Sequence, residues 1–300
     1  MKKKTYLIAL MAMALTLGSC SDNENGIGGE TSKYITVSTS IGNMTRVATD
    51  EKGGQTFEEG DEISVYAWIG APTVAPETRE RVVNNAINKL TNGSWVATPQ
   101  MLWKNNRDKH YFIGVYPTAA ISDFTAGEYK LDVAKQEDSD LLVAVNKDGI
   151  SYNADEQQTV PLTFTHVMAK LAVNLTYKNQ WGGIPTVEKV VVGNAAKEAT
   201  INYLTKVVTP STTAKEDFSL PEITENTKYV SVIIPQEDVT QLTIVIGGKN
   251  FVYDNGTPFK LESGKITTVN LEVGRDEIKL GDVKITNWED GSTFSGEALN

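Results

Sequence analysis

The chain has 300 residues and a net charge of −10, from 28 Lys and Arg against 38 Asp and Glu; its hydrophobic content of 40% is ordinary for a globular protein. An acidic balance with no basic run beyond Lys4 excludes nucleic acid, whose phosphates need clustered Lys and Arg, and disfavours electrostatic docking on anionic lipid. One cysteine and two histidines leave no disulfide and no Cys–His pair, and little for a Ser-His-Asp triad or a zinc site, so no enzyme, metal or cofactor is expected.

Lys2, Lys3 and Lys4 precede an apolar stretch from Tyr6 to Leu17 that is too short to span a bilayer and has the layout of an export signal. It ends in Leu17-Gly18-Ser19-Cys20, which resembles the lipobox of bacterial lipoproteins. That resemblance implies removal of residues 1–19 and acylation of Cys20, leaving the protein lipid-anchored in the cell outer membrane. Each buried methylene of such an anchor contributes about 0.8 kcal/mol. Residues 20–32 are polar, acidic and Gly-rich, the composition of a flexible leash. Its acidic residues resemble the surface-export signal of lipoproteins from Gram-negative anaerobes, although an ordinary linker reads the same way.

From there on, period-2 alternation dominates. Ile35, Val37 and Ile41 share one side of Tyr34 to Ile41, opposite Thr36, Ser38 and Ser40, as in a half-buried strand. Ile63, Val65 and Ala67 alternate with Ser64, Tyr66 and Trp68. Val83, Ala86, Ile87 and Leu90 have helical spacing, and helix and strand both remain open there. Strand-like runs follow at Tyr111 to Tyr116, Leu141 to Val145, Leu171 to Tyr177, Val187 to Val192, Tyr229 to Ile234, Leu242 to Ile246, Ile266 to Val273 and Val283 to Trp288. Asn92-Gly93, Gly182-Gly183, Gly247-Gly248 and Asp254-Asn255-Gly256 punctuate them as turns. Many short strands at regular spacing predict an all-β chain of β-sandwiches. Its length suits two domains, 33–163 and 164–300, with the seam near Thr159 to His166.

The chemistry-bearing residues read mostly as structural. Glu58, Glu59, Asp61 and Glu62 have no nearby histidine, so a turn feeding a strand is preferred to a metal site. Asp138 and Asp140 read as a loop cap rather than an acid–base pair. His166 opens an apolar strand as a satisfied buried imidazole, whereas His110 is expected at the surface. Gly247-Gly248-Lys249 lacks the remaining glycines and the helix of a phosphate-binding loop.

Several patterns, in order, resemble the fimbrillin family of Gram-negative anaerobes. They are Phe57-Glu58-Glu59-Gly60-Asp61-Glu62-Ile63; Trp95 and Trp103 ahead of Tyr111-Phe112-Ile113-Gly114-Val115-Tyr116-Pro117; Asp140-Leu141-Leu142-Val143-Ala144; Phe164-Thr165-His166-Val167-Met168-Ala169-Lys170-Leu171; and Ile285-Thr286-Asn287-Trp288-Glu289-Asp290-Gly291. The resemblance implies two tandem transthyretin-like β-sandwich domains and a cell-surface fimbrial subunit or adhesin. It implies proteolysis between Arg46 and Val47, removal of the strand Tyr34 to Ile41, and β-strand exchange with other fimbrial subunits. A host or bacterial surface ligand would be a further partner. A second reading is a surface glycan-binding lipoprotein accessory to polysaccharide uptake, with Trp68, Trp95, Trp103 and Trp181 as the aromatics that contact sugar.

Overall fold

The computed structural model of the chain describes residues 33–42, 56–156, 158–254 and 256–288. Cys20, Arg46 and Val47, and with them the signal, the leash and the expected cleavage site, lie outside the described residues. Within these bounds the chain is all-β apart from one-turn helices.

The first half contains β1 (Thr36–Ile41), β2 (Glu62–Ile69), β3 (Arg81–Thr91), β4 (Ser94–Thr98), β5 (Lys109–Tyr116), β6 (Gly127–Lys130), the short helix α1 (Gln136–Ser139), β7 (Leu142–Ser151) and β8 (Thr159–His166). Seven of these strands form one sheet in the order β1-β8-β7-β5-β2-β3-β4. Pairing is antiparallel except at the β1–β8 edge, where the strands run parallel. Asn92 and Gly93 both have positive φ (51° and 73°), which is what a two-residue hairpin with the native strand twist requires, and they join β3 to β4.

The stretch left open between helix and strand is β3. Its helical spacing comes from a β-bulge: Val65 and Ala67, two residues apart on β2, face Ala86 and Val83, three apart on β3. Asn85, at φ 58°, absorbs the extra residue. Val83 and Ala86 thus point the same way although three positions separate them.

In the second half are β9 (Ala169–Tyr177), β10 (Lys189–Ala196), β11 (Glu198–Asn202), β12 (Val207–Pro210), β13 (Lys215–Ser219), β14 (Glu222–Thr224), β15 (Lys228–Ile233), β16 (Gln241–Ile246), β17 (Lys249–Asp254), β18 (Lys265–Val273) and β19 (Ile278–Asn287). They make a four-stranded sheet β13-β10-β16-β17, a five-stranded sheet β14-β15-β9-β18-β19 and, with β6 from the first half, a three-stranded sheet β12-β11-β6. Gly247 and Gly248 supply the left-handed pair that joins β16 to β17.

The seam expected at Thr159 to His166 is itself a strand. β8 is paired with β1 from Thr159 to Phe164 and with β7 from Phe164 to His166, so the chain leaves the first sheet only at Val167 and Met168. The polar loop that suggested a boundary lies just before β8. The halves are also sewn together, because β6 pairs with β11 and the Tyr203 N–H donates to the Phe124 carbonyl at 2.8 Å. One face of the seven-stranded sheet closes around Ile35, Val37, Ile63, Val65, Phe112 and Leu162. The other face, with Tyr66, Trp68, Ile113, Val115 and Val143, joins the core of the second half around Leu171, Val190 and Leu242.

Candidate functional site

β1 is a strand held on both flanks. Its register with β8 runs from Thr36 opposite Thr159 to Ile41 opposite Phe164, and the Gly42 N–H adds a bond to the Phe164 carbonyl at 2.8 Å. On the other flank the sheet curls round until the residues after β4 meet the start of the strand. The Ile35 N–H donates to the Met101 carbonyl at 3.0 Å, and the Trp103 N–H donates to the Lys33 carbonyl at 3.2 Å. The Trp95 indole N–H donates to Thr39 Oγ1 at 3.0 Å. Ile35 and Val37 are buried among Ile63, Val65, Phe112 and Leu162. Phe57 closes the far end, its ring edge-on to Trp95, Tyr116 and Phe164 at centroid distances of 5.1–5.4 Å.

What lies beneath β1 would be a trough without it. β7 pairs with β8 only at Phe164 to His166, so the backbone of β8 from Thr159 to Thr163 has β1 as its strand partner. Val160 and Leu162 are fully buried there. Gly114 on β5 makes room for these residues: a Cβ at that position would lie 2.6 Å from the Phe164 ring and 3.2 Å from Leu162 Cδ1.

The acidic motif before β2 braces this end of the sheet. Asp61 Oδ2 accepts the Glu58 N–H at 2.7 Å, and Glu59 Oε1 accepts the Asn92 N–H of the β3–β4 hairpin at 2.7 Å. Glu62 pairs with Lys89 at 3.0 Å across β2 and β3. Asp140 does not pair with Asp138; it accepts His166 Nδ1 at 2.8 Å, and His166 is buried. Among the described residues no group of three His, Cys, Asp or Glu side chains stands close enough together to hold a metal ion.

Two expectations need correction. His110 is fully buried, because β5 begins at Lys109 and alternation then puts His110 on the inward face with Phe112. Its Nε2 accepts the Lys104 N–H at 3.1 Å, and burial lowers its pKa, with Asp108 opposing and Lys104 adding to the shift. Two of the tryptophans offered for sugar contact, Trp68 and Trp103, belong to the core. Trp68 is 1% and Trp103 8% exposed. Both faces of β2 are covered, so Trp68 packs on Phe124 and Tyr111, while Trp103 packs on His110, Phe112 and Tyr152. Trp95 and Trp181 are half-buried, and their indole N–H groups are spent on Thr39 and on the Val273 carbonyl.

Sequence reasoning missed the long-range pairing of Trp288 with His166, whose rings stack 4.2 Å apart. It also missed the insertion of Gln136 from α1 against β15, where its side chain bonds Ser231 and the Val232 N–H. No local pattern marks either contact.

The family of fimbrillin-like proteins has a sequence model that matches residues 45–288, and the chain belongs to that family. It is a family of fimbrial and cell adhesion proteins. Solved structures share the fold. A Bacteroides uniformis protein provisionally assigned to cell adhesion is 18% identical with a TM-score of 0.63, over 85% of this chain and 98% of that one. A fimbrial protein from Bacteroides vulgatus is 12% identical with a TM-score of 0.52, over 84% and 99%. The C-terminally truncated tip fimbrial protein Mfa3 of Porphyromonas gingivalis is 11% identical with a TM-score of 0.51, over 85% and 99%. No curated protein sequence matches the chain.

Proposed function

We propose that this chain is a cell-surface fimbrial subunit or fimbrillin-like adhesin, tethered to the outer membrane through acylated Cys20 and assembled by strand exchange once β1 is removed. The observation that carries this reading is the state of β1: one face buried, both flanks hydrogen-bonded, and its only forward link to the rest of the chain running through residues 43–55. Cleavage between Arg46 and Val47 would free it. The trough and the bare edge of β8 would then demand a replacement strand, since unpaired backbone and exposed apolar side chains both cost free energy.

β19 is the best candidate for a donated strand. It is an edge strand paired with β18, and its apolar residues Leu280, Val283 and Ile285 are 37–40% exposed. Two sandwich units in tandem, 33–163 and 164–300, with the boundary drawn inside β8, belong to the same reading. A host or bacterial surface ligand is the remaining partner.

The test is mass spectrometry of the surface protein together with Arg46→Ala. The proposal expects Val47 at the N-terminus of assembled subunits, and Arg46→Ala protein that keeps β1 and stays out of fibres. Fibres in which every subunit begins at Cys20, or normal assembly of Arg46→Ala, would overturn it.

A further inference from the structure

β19 and the residue that follows it are opposites. From Lys279 to Asn287 every side chain of the strand is exposed, yet Trp288 is 4% exposed. Its indole lies parallel to the His166 imidazole, with centroids 4.2 Å apart and planes 7° apart. Lys170 Nζ stands 4.2 Å from the centroid of the same indole. Asp140 Oδ1, at 2.8 Å from His166 Nδ1, fixes the imidazole plane. The Trp288 backbone N–H donates to the Gly264 carbonyl at 3.0 Å, and the Gly264 N–H donates to the Met168 carbonyl at 2.8 Å. Gly264 has φ +68°, and a Cβ there would come 3.1 Å from the His166 carbonyl oxygen.

We infer that His166, Lys170, Asp140 and Gly264 form a binding seat for an aromatic ring, and that Trp288 is the latch by which the seat holds β19 on the sheet. Lys170 supplies the cation that the negative face of an indole attracts, His166 supplies a flat ring for the indole to stack on, and Asp140 holds that ring in place. The contacts of His166 and Lys170 are to the ring face, while the indole N–H is buried with no acceptor among the described residues. The seat also collects its parts from the approach to β7, the end of β8, β9 and the turn into β18. Trp288 therefore fastens the last strand to the junction where the two halves of the chain meet. An edge strand exposed on both faces would otherwise open readily and locally.

The latch stands on this geometry alone; its use in releasing β19 as a donor strand rests on the function proposed above. Hydrogen exchange read by mass spectrometry on the full chain tests it, comparing the parent with Trp288→Ala, Trp288→Phe and Lys170→Met. Trp288→Ala should speed exchange in β19 about tenfold while β2 to β5 keep their protection, with Trp288→Phe and Lys170→Met in between. Exchange in β19 within about twofold of the parent in Trp288→Ala would overturn the latch. So would an equal loss of protection in every sheet, which would make Trp288 a general core residue. Fibre incorporation of the same variant separates the two ideas. Fast exchange in β19 with unaltered assembly keeps the latch and rejects β19 as the donor.

Discussion

Ile35→Ala tests whether β1 is an integral part of the first core. Ile35 is 1% exposed and packs against the first-sheet core. The substitution deletes three carbon atoms, worth roughly 2.4 kcal/mol at about 0.8 kcal/mol per buried methylene. A cavity term raises the expected loss to about 3 kcal/mol. Ser38, exposed on the opposite side of the strand, is the control, and Ser38→Ala should stay within about 0.5 kcal/mol of the parent. Urea unfolding followed by tryptophan fluorescence reads the effect close to where it occurs, because Trp103 is buried in the same core as Ile35. A chain lacking residues up to Gly42 should lose roughly 5 kcal/mol from Ile35 and Val37 together, and a synthetic peptide of residues 33–42 should restore it. Equal midpoints for Ile35→Ala and the parent would refute the claim that β1 fills an apolar trough, and with it the physical basis for strand replacement.

Gly114→Ala should cost about 1–3 kcal/mol in the same assay, because the added methyl must displace Phe164 and Leu162 beneath β1. His110 makes the first sheet acid-sensitive. Its folded pKa lies below the unfolded value of about 6.5, so its contribution is complete above that pH and is lost as pH falls toward the folded pKa. His110→Leu should therefore flatten the fall in melting temperature between about pH 7.5 and pH 5, and an unchanged slope would count against the assignment. Cys20→Ala should abolish labelling by a palmitate analogue and leave the precursor mislocalised, whereas labelling equal to the parent would exclude the anchor.

Much of the fold was legible in the chain because strand patterning is local. Alternation at Ile35 and Val37 announced a strand with one buried face, and Asn92-Gly93 and Gly247-Gly248 announced hairpins, since the required backbone conformations depend on neighbouring residues alone. Local patterns also misled where pairing partners decide the outcome. Val83 and Ala86 kept helical spacing because a bulge opposite Val65 and Ala67 inserts one residue, and only the partner strand reveals that. Thr159 to His166 read as a seam, and only the structure shows that it is also a strand, paired with β1 from more than a hundred residues away. Alternation at Trp68 did not show which side of β2 would be covered, and both are, because a second layer packs on its outer face. Composition and motif order determined the class of the protein: all-β, poor in catalytic groups, and patterned like a fimbrillin. Tertiary structure alone decided that β1 is clamped on both flanks and that Trp288 closes on His166 and Lys170, because both depend on contacts between residues far apart in the chain.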